Sequence, residues 1–339
     1  MNLMKCAILI FLALLFIAPQ SMATNSAVFI MYHRFGENNY PSTNVRLAQL
    51  ENHIRELKSG PYTVLPVLQI LSDIENGRAL PKRTVGITID DGFGSIYTKA
   101  WPRFRKAQLP FTVFISTNSI DENRSNRLNW NQIREMRAAG VTFGAHTASH
   151  LHMVKAPRDR NEVEIIKSNT RMTAELGEQP VIFAYPYGEA SNEVFELISK
   201  SSYKYAFGQH SGVISRFSDK KYLPRFALNE KYGALNRFKL IVNTLPLPVS
   251  EFTPNSLIIG KTNPPNVGFT VISKLKNLNR ISCFTSEEGK VATTLLGTSR
   301  VEVRMTKPFI KGRNRLNCTL PGRGGRWHWL GAIFVVPKF

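Results

Sequence analysis

The sequence predicts an α/β domain followed by a small all-β, sandwich-like domain. Between about residues 25 and 229, short apolar runs alternate with helix-like segments, which implies parallel strands covered by helices, in an open sheet or a barrel. Beyond about residue 245 the helical periodicity stops, and short β-rich runs punctuated by Gly, Pro and Asn take over. The chain has 339 residues, 43% of them hydrophobic and 10% aromatic. That is enough to bury a core, and it excludes a disordered polymer.

In chain order, strands are predicted over 27–31, 85–89, 111–115, 141–145 and 181–184, each a short apolar run bounded by polar or turn residues. Helices are predicted between them over 47–59, 67–76, 95–107, 131–139, 159–176 and 192–201. Pro66 and Asn131 stand at helix starts, and Gly60, Gly77, Gly140 and Gly177 at helix ends. The stretch Leu-Pro-Leu-Pro at 245–248, followed by Ser-Glu-Phe-Thr-Pro, reads as a stiff linker between residue 245 and a second domain at 250–339. In that domain strands are predicted over 257–259, 267–272, 280–285, 300–305, 316–320 and 329–336.

The first 23 residues have the build of a secretory signal. Lys5 precedes an unbroken apolar run, residues 7–18, and Ser21-Met22-Ala23 places small residues where a signal peptidase reads. The run is too short to favour a membrane span, so export to the periplasm or the exterior is expected, with the α/β domain occupying 24–245. Two cysteines remain, Cys283 and Cys318, each in a strand-like run. In an exported chain this predicts one structural disulfide. The formal charge is +20, and from Ser250 onward 14 Lys and Arg face 4 Asp and Glu, so the second domain carries half of it. Nucleic acid is one reading of such a charge. For an exported chain, anionic polymers of the cell envelope fit better, and no nucleic-acid partner is expected.

The polar residues that carry chemistry gather at the ends of the predicted strands. Asp90-Asp91 ends TVGITIDD, His146-Thr147-Ala148-Ser149-His150 follows 141–145, and Tyr185-Pro186-Tyr187-Gly188 follows 181–184. Strand C-termini in alternating α/β folds share one rim, so three such clusters converge on one site. Two imidazoles and one carboxylate suit a facial metal site with open positions. The H-x-x-x-H spacing lacks the zincin Glu and follows a strand directly, so a loop is the expected setting.

These motifs resemble those of the NodB-type polysaccharide deacetylases, carbohydrate esterase family 4. TIDDGF is similar to the family's T-F-D-D-G, GAHTASH to its H-[S/T]-x-x-H, and FAYPYG to its R-x-x-P-Y type third motif, in the family's order. The run Phe29-Ile30-Met31-Tyr32-His33 and Leu128-Asn129-Trp130 look most like the branch of exopolysaccharide deacetylases acting on poly-N-acetylglucosamine. The resemblance implies a distorted (β/α) barrel and hydrolysis of acetyl groups from a GlcNAc-containing glycan. It implies that Asp91, His146 and His150 hold a divalent metal, most simply Zn2+, with Ni2+, Co2+ or Fe2+ also fitting. Asp90 would be the base that activates a metal-held water, and the Tyr187 backbone N–H would help hold the oxyanion.

One departure matters. The family's third motif carries an arginine that pairs with the catalytic aspartate, and Ala184 or Tyr185 stands there instead. Arg225, in Tyr-Leu-Pro-Arg-Phe at 222–226, is the expected substitute. His210 is the first candidate for the general acid by order along the chain; His33 is the rival, with a structural or substrate-contacting role equally open. Tyr185, Pro186 and Trp130 are expected to shape or contact the sugar site. An O-acetyl esterase with the same site, or a NodB-fold protein that binds glycan without catalysis, are the alternative functions.

Overall fold

Strand β1, Ser26–Tyr32, is almost wholly buried, as a strand covered on both faces must be. It pairs in parallel with β2, Thr84–Ile89, which is followed across the sheet by β3, Thr112–Ile115, β4, Thr142–Ala145, β5, Ile182–Ala184, and β6, Tyr205–Phe207. These are the strands of a computed structural model that describes residues 25–337; the predicted signal segment lies outside the described residues. Helices α1, Leu47–Ser59, α2, Val67–Glu75, α3, Trp101–Lys106, α4, Thr117–Asp121, α5, Trp130–Ala138, α6, Arg158–Leu176, and α7, Asn192–Lys200, alternate with the strands. The predicted helix over 95–107 is split: a π-helical stretch, Ile96–Ala100, leads into α3 at Trp101-Pro102, where proline supplies no N–H to continue an α-helical ladder.

The sheet curls toward closure. β7, Val213–Ser215, runs antiparallel beside β1. Past it, Leu223 bridges Phe207 of β6 while β8, Phe226–Ala227, pairs with Ile30 and Met31 of β1. The segment from Leu223 to Phe226 therefore spans the gap between the two ends of the sheet. Helix α8, Leu235–Val242, packs under β1 and α1. Register aligns the rim: Tyr32 lies beside Ile89, Ile115 beside Ala145, Ala145 beside Phe183, and Ala184 beside Phe207. His33, Asp90, His146, Tyr185 and Gly208 each follow these partners directly.

The second domain is all-β, as predicted. Its strands are β9, Val249–Thr253, β10, Val267–Val271, β11, Ser282–Thr285, β12, Gly289–Leu296, β13, Arg300–Arg304, β14, Gly312–Pro321, and β15, Trp327–Val336. β12 serves two layers, pairing with β11 through Lys290 and Val291 and with β13 from Ala292 on. The sheet thus folds over its own core, where Phe252 of β9 stacks on Phe269 of β10 and Phe334 of β15. Cys283 and Cys318 sit opposite each other on β11 and β14 and are joined as a disulfide.

The proline-rich stretch expected to be a stiff linker is instead structured. Leu245 and Pro246 pair with β15, and residues 249–253 form β9. Prolines are tolerated here because the hydrogen bonds fall on their carbonyls or on neighbours: the Pro246 carbonyl accepts from His328 Nδ1. No helix among the described residues is long and apolar enough to cross a membrane.

Candidate metal centre and active site

Residue 91 begins a turn that a plain strand end would not make. Asp91 has φ +75° and Gly92 φ +67°, so the chain leaves the strand sharply and both carboxylates stay at the rim. Thr147, His150 and Tyr187 share that left-handed backbone, with φ of 62°, 60° and 62°. Non-glycine residues pay about 1 kcal/mol or more for such a conformation, and it persists only where surroundings enforce it. Four of them in three motifs at one rim mark a built site.

Among the described residues, Asp91, His146 and His150 form the group able to hold a metal, their ligand atoms all within 4.8 Å. Asp91 Oδ1 lies 3.3 Å from His146 Nε2 and 3.1 Å from His150 Nε2. His146 Nδ1 stands 2.7 Å from the Ala184 carbonyl, which can only accept, so Nδ1 carries the proton and Nε2 presents a lone pair. Asp91 Oδ1 and His146 Nε2 are buried without hydrogen-bond partners. Lone pairs facing one another are what a cation would satisfy, so these residues fit a divalent metal. Burial pushes the Asp91 carboxyl up, but the imidazoles of His146 and His150 and the charge of His33 bring it well below the usual carboxylate range. Burial holds His150 below its ordinary value, with Asp91 opposing; its ring therefore stays neutral and able to ligate.

Asp90 is fully buried and is gripped by Arg225, Nη1 to Oδ1 at 2.7 Å and Nη2 to Oδ2 at 2.8 Å. Arg225 reaches it because the segment closing the barrel carries it inward, where its Nε donates to the Gly208 carbonyl and Nη1 also meets Thr88. Burial would raise the Asp90 pKa; the charges of Arg225, His146 and His33 outweigh that and hold it lowered.

The two candidate acids are placed differently. His33 follows Tyr32, whose carbonyl accepts from the Asp90 N–H at 2.9 Å, and its charge bears on Asp90, Asp91 and His150. His210 stacks on Tyr222 and lines a cleft between the two domains with Phe217 and Trp329. Burial, with Arg225's charge adding, pushes its pKa down to about 3. A ring held neutral is a poor proton donor near pH 7, which speaks against the choice of His210 by chain order.

Two of the expected sugar contacts are also relocated. Trp130 is 8% exposed and its indole N–H donates to Asp121. Tyr185 is fully buried with its hydroxyl on the Lys221 carbonyl. Neither presents an open face, because each sits on the inward side of its element. Pro186 is buried within the turn that carries Tyr187.

Other residues around the site had no signal in the sequence. Glu164, 2% exposed on α6, takes the Ser149 N–H and hydroxyl and so clamps the histidine loop. Arg127 donates to the Asp91 carbonyl. Glu189 holds His152 Nδ1 at 2.8 Å, and the His152 ring lies flat on Tyr187, 3.5 Å away.

Residues 77–206 match the family model described as polysaccharide deacetylase. Poly-beta-1,6-N-acetyl-D-glucosamine N-deacetylase of Staphylococcus aureus (strain MRSA252) is 27% identical over 232 residues, covering 61% of this chain and 80% of the relative. Among solved structures, the Streptococcus pyogenes deacetylase PplD in complex with acetate aligns with a TM-score of 0.60 at 20% identity, over 64% of this chain and 98% of that one. IcaB from Ammonifex degensii aligns with a TM-score of 0.55 at 21% identity, over 64% and 98%. The structural likenesses speak for the fold, and the family match and motifs for the kind of site. The first domain of this chain is thus similar to the polysaccharide deacetylases, in sequence over residues 77–206 and in fold.

Proposed function

We propose that the protein is a metal-dependent N-deacetylase of a GlcNAc-type polysaccharide, exported and acting on an envelope or extracellular glycan. The observation that carries this is the joint placement of the Asp91-His146-His150 group and the Arg225-held Asp90 at one rim. The name of the staphylococcal relative supports the glycan class. The Cys283–Cys318 disulfide supports an oxidising compartment.

Asp91, His146 and His150 would hold the metal, with two nitrogens and one oxygen suiting zinc first. When bound, such a cation supplies a Lewis acid that acidifies a water and polarises an acetyl carbonyl. Asp90, kept ionised by Arg225, accepts the proton the attacking water loses. The Tyr187 N–H donates to the acetyl oxygen as charge builds on it. His33, beside Asp90 at the rim, gives a proton to the departing amine, so that acetate and a free amine leave. In the second domain, Arg300 and Arg304 pair with Glu302, Arg313 lies near Glu189, and Arg326 donates to the Asn243 carbonyl.

The test is metal content of the purified protein together with acetate release from poly-β-1,6-N-acetylglucosamine, chitooligosaccharide, peptidoglycan and acetyl-xylan. Bound divalent metal, and acetate from the first of these lost on chelation and restored by Zn2+ or Co2+, is expected. Acetate from acetyl-xylan alone would make the enzyme an O-acetyl esterase. No acetate from any substrate would leave a glycan-binding protein.

A further inference from the structure

The second domain lies beyond residue 206, where the family match ends, yet one of its side chains reaches into the rim. Arg313, at the start of β14, donates from Nη1 to the Tyr187 carbonyl at 3.0 Å. Its guanidinium stands 5.6 Å from the centre of the Tyr187 ring, and its Nε lies 3.7 Å from Glu189 Oε1. Glu189 is only 4% exposed, and its other oxygen is occupied by His152. The Tyr187 ring is in turn clasped on two sides: His152 lies parallel to its face, and it meets His150 edge-on with centroids 4.4 Å apart. A continuous set of contacts thus runs from the second domain to a candidate metal ligand.

Tyr187 needs such support. With φ +62° it occupies a conformation that costs a non-glycine residue about 1–3 kcal/mol. The hydrogen bonds that close its turn run from Gly188 to Tyr185 and from Glu189 to Pro186, and the Tyr222 hydroxyl holds the Gly188 carbonyl. These fix the flanks of the turn. From outside the turn, Arg313 holds the carbonyl of the Tyr187–Gly188 peptide, the link whose N–H closes on Tyr185.

We propose that the second domain is a working part of the active site, with Arg313 as a positioning residue that holds the Tyr187 turn, and through it His150, in the shape deacetylation requires. The catalytic half of this statement rests on the deacetylase reading above; the hold on the turn does not. Arg313 touches neither substrate nor reacting atoms in this role. It restrains a backbone that must be placed to a fraction of an ångström for its N–H to meet a developing oxyanion.

The experiment compares wild-type, Arg313→Ala and Arg313→Lys full-length protein, by hydrogen–deuterium exchange of peptides spanning 184–191 and by steady-state kinetics of acetate release. Arg313→Ala is expected to speed exchange in that segment severalfold while peptides from β11 and β12 keep their protection. It should lower kcat by about 10- to 100-fold, with KM changed less than threefold. Arg313→Lys, which keeps the charge toward Glu189 but loses the guanidinium fork, should fall between. Unchanged exchange at 184–191 in Arg313→Ala would overturn the proposal, and so would faster exchange with unchanged kcat. If wild-type protein releases no acetate yet exchange still responds to Arg313→Ala, the deacetylase reading fails and the hold on the turn stands.

Discussion

Asp90 and Arg225 form a wholly buried ion pair, and removing one partner of such a pair strands the other's charge, at a cost of about 3–5 kcal/mol. Arg225→Ala therefore confounds stability with chemistry, and Arg225→Lys is the better probe. Lysine keeps the charge but cannot bond both carboxylate oxygens, so metal content should be retained while turnover falls about tenfold. Asp90→Asn should retain the metal and lose about 10²- to 10⁴-fold in kcat, the range of general-base removal; full activity would take the base role from Asp90. His33 has its own test. His33→Gln should slow acetate release from the amide substrate about 10²-fold or more and spare p-nitrophenyl acetate, whose leaving group needs no proton. Equal losses on both would make His33 structural. These residues differed in how legible they were. The aspartates and histidines announced themselves because strand-end motifs are local in the sequence. Arg225 was named only as a substitute for a missing arginine, because its bond to Asp90 spans 135 positions. His33 and His210 could not be ranked without strand register, which alone puts the residue after Tyr32 beside Asp90.

At the scale of elements, the predicted strands and helices of the first domain, apart from the split run at 95–107, fall within a residue or two of those observed, because each is a clean periodic run with a marked end. The elements missed in the first domain are α4, β6, β7 and β8, whose two to five residues carry no period, and the eight-residue α8. In the second domain β12 was missed, and the run at 257–259, predicted as a strand, makes only an isolated bridge from Ile258 to Val335. β9 was missed because the prolines on either side of it, Pro248 and Pro254, spoke for a linker. Elements are also joined by groups that composition hides. His53 of α1 accepts from the Tyr32 hydroxyl of β1 at 3.0 Å, donates to the Gly233 carbonyl ahead of α8, and stacks on Phe238. Burial pushes its pKa down to about 4 from the ordinary 6.5, with the Gly233 bond opposing. The unfolded chain thus binds a proton at this position between pH 6.5 and 4 that the folded one refuses. The neutral ring's contribution to stability is complete above pH 6.5 and is lost progressively as the pH falls toward 4, in total on the order of 3 kcal/mol. Urea unfolding at pH 7 and pH 4.5 should show this loss in the wild type. His53→Gln, which has no proton to gain in that range, should start less stable at pH 7 and lose less on acidification. Parallel pH dependence in the two proteins would locate the acid sensitivity elsewhere.

At the scale of the whole molecule, the two domains meet backbone to backbone. Gly331 of β15 presses against Ser211, so closely that a Cβ at 331 would lie 2.2 Å from the Ser211 carbonyl oxygen. Around this point Trp329 meets Phe226 edge-on at 5.3 Å, and Arg326 donates to the carbonyls of Asn243 and Thr244. The opposing atom at Gly331 is main chain and cannot swing away, so a side chain there must separate β15 from the loop that follows β6. Gly331 itself lies opposite Asn317 of β14, in the sheet that also carries Arg313 and the Cys283–Cys318 disulfide. Gly331→Val should therefore leave each domain's core intact while easing the domains apart and drawing Arg313 off the Tyr187 carbonyl. The expected result is a larger radius of gyration in solution scattering, and faster cleavage by protease in the 243–249 segment. A drop in kcat comparable to that of Arg313→Ala should accompany them, with metal content unchanged. Because both substitutions would act on the same contact, their combination should cost little more than either alone, a non-additivity that independent sites do not show. Additive losses in the double variant would mean that docking serves stability alone, and that the second domain acts on the active site through Arg313 by a route independent of Gly331.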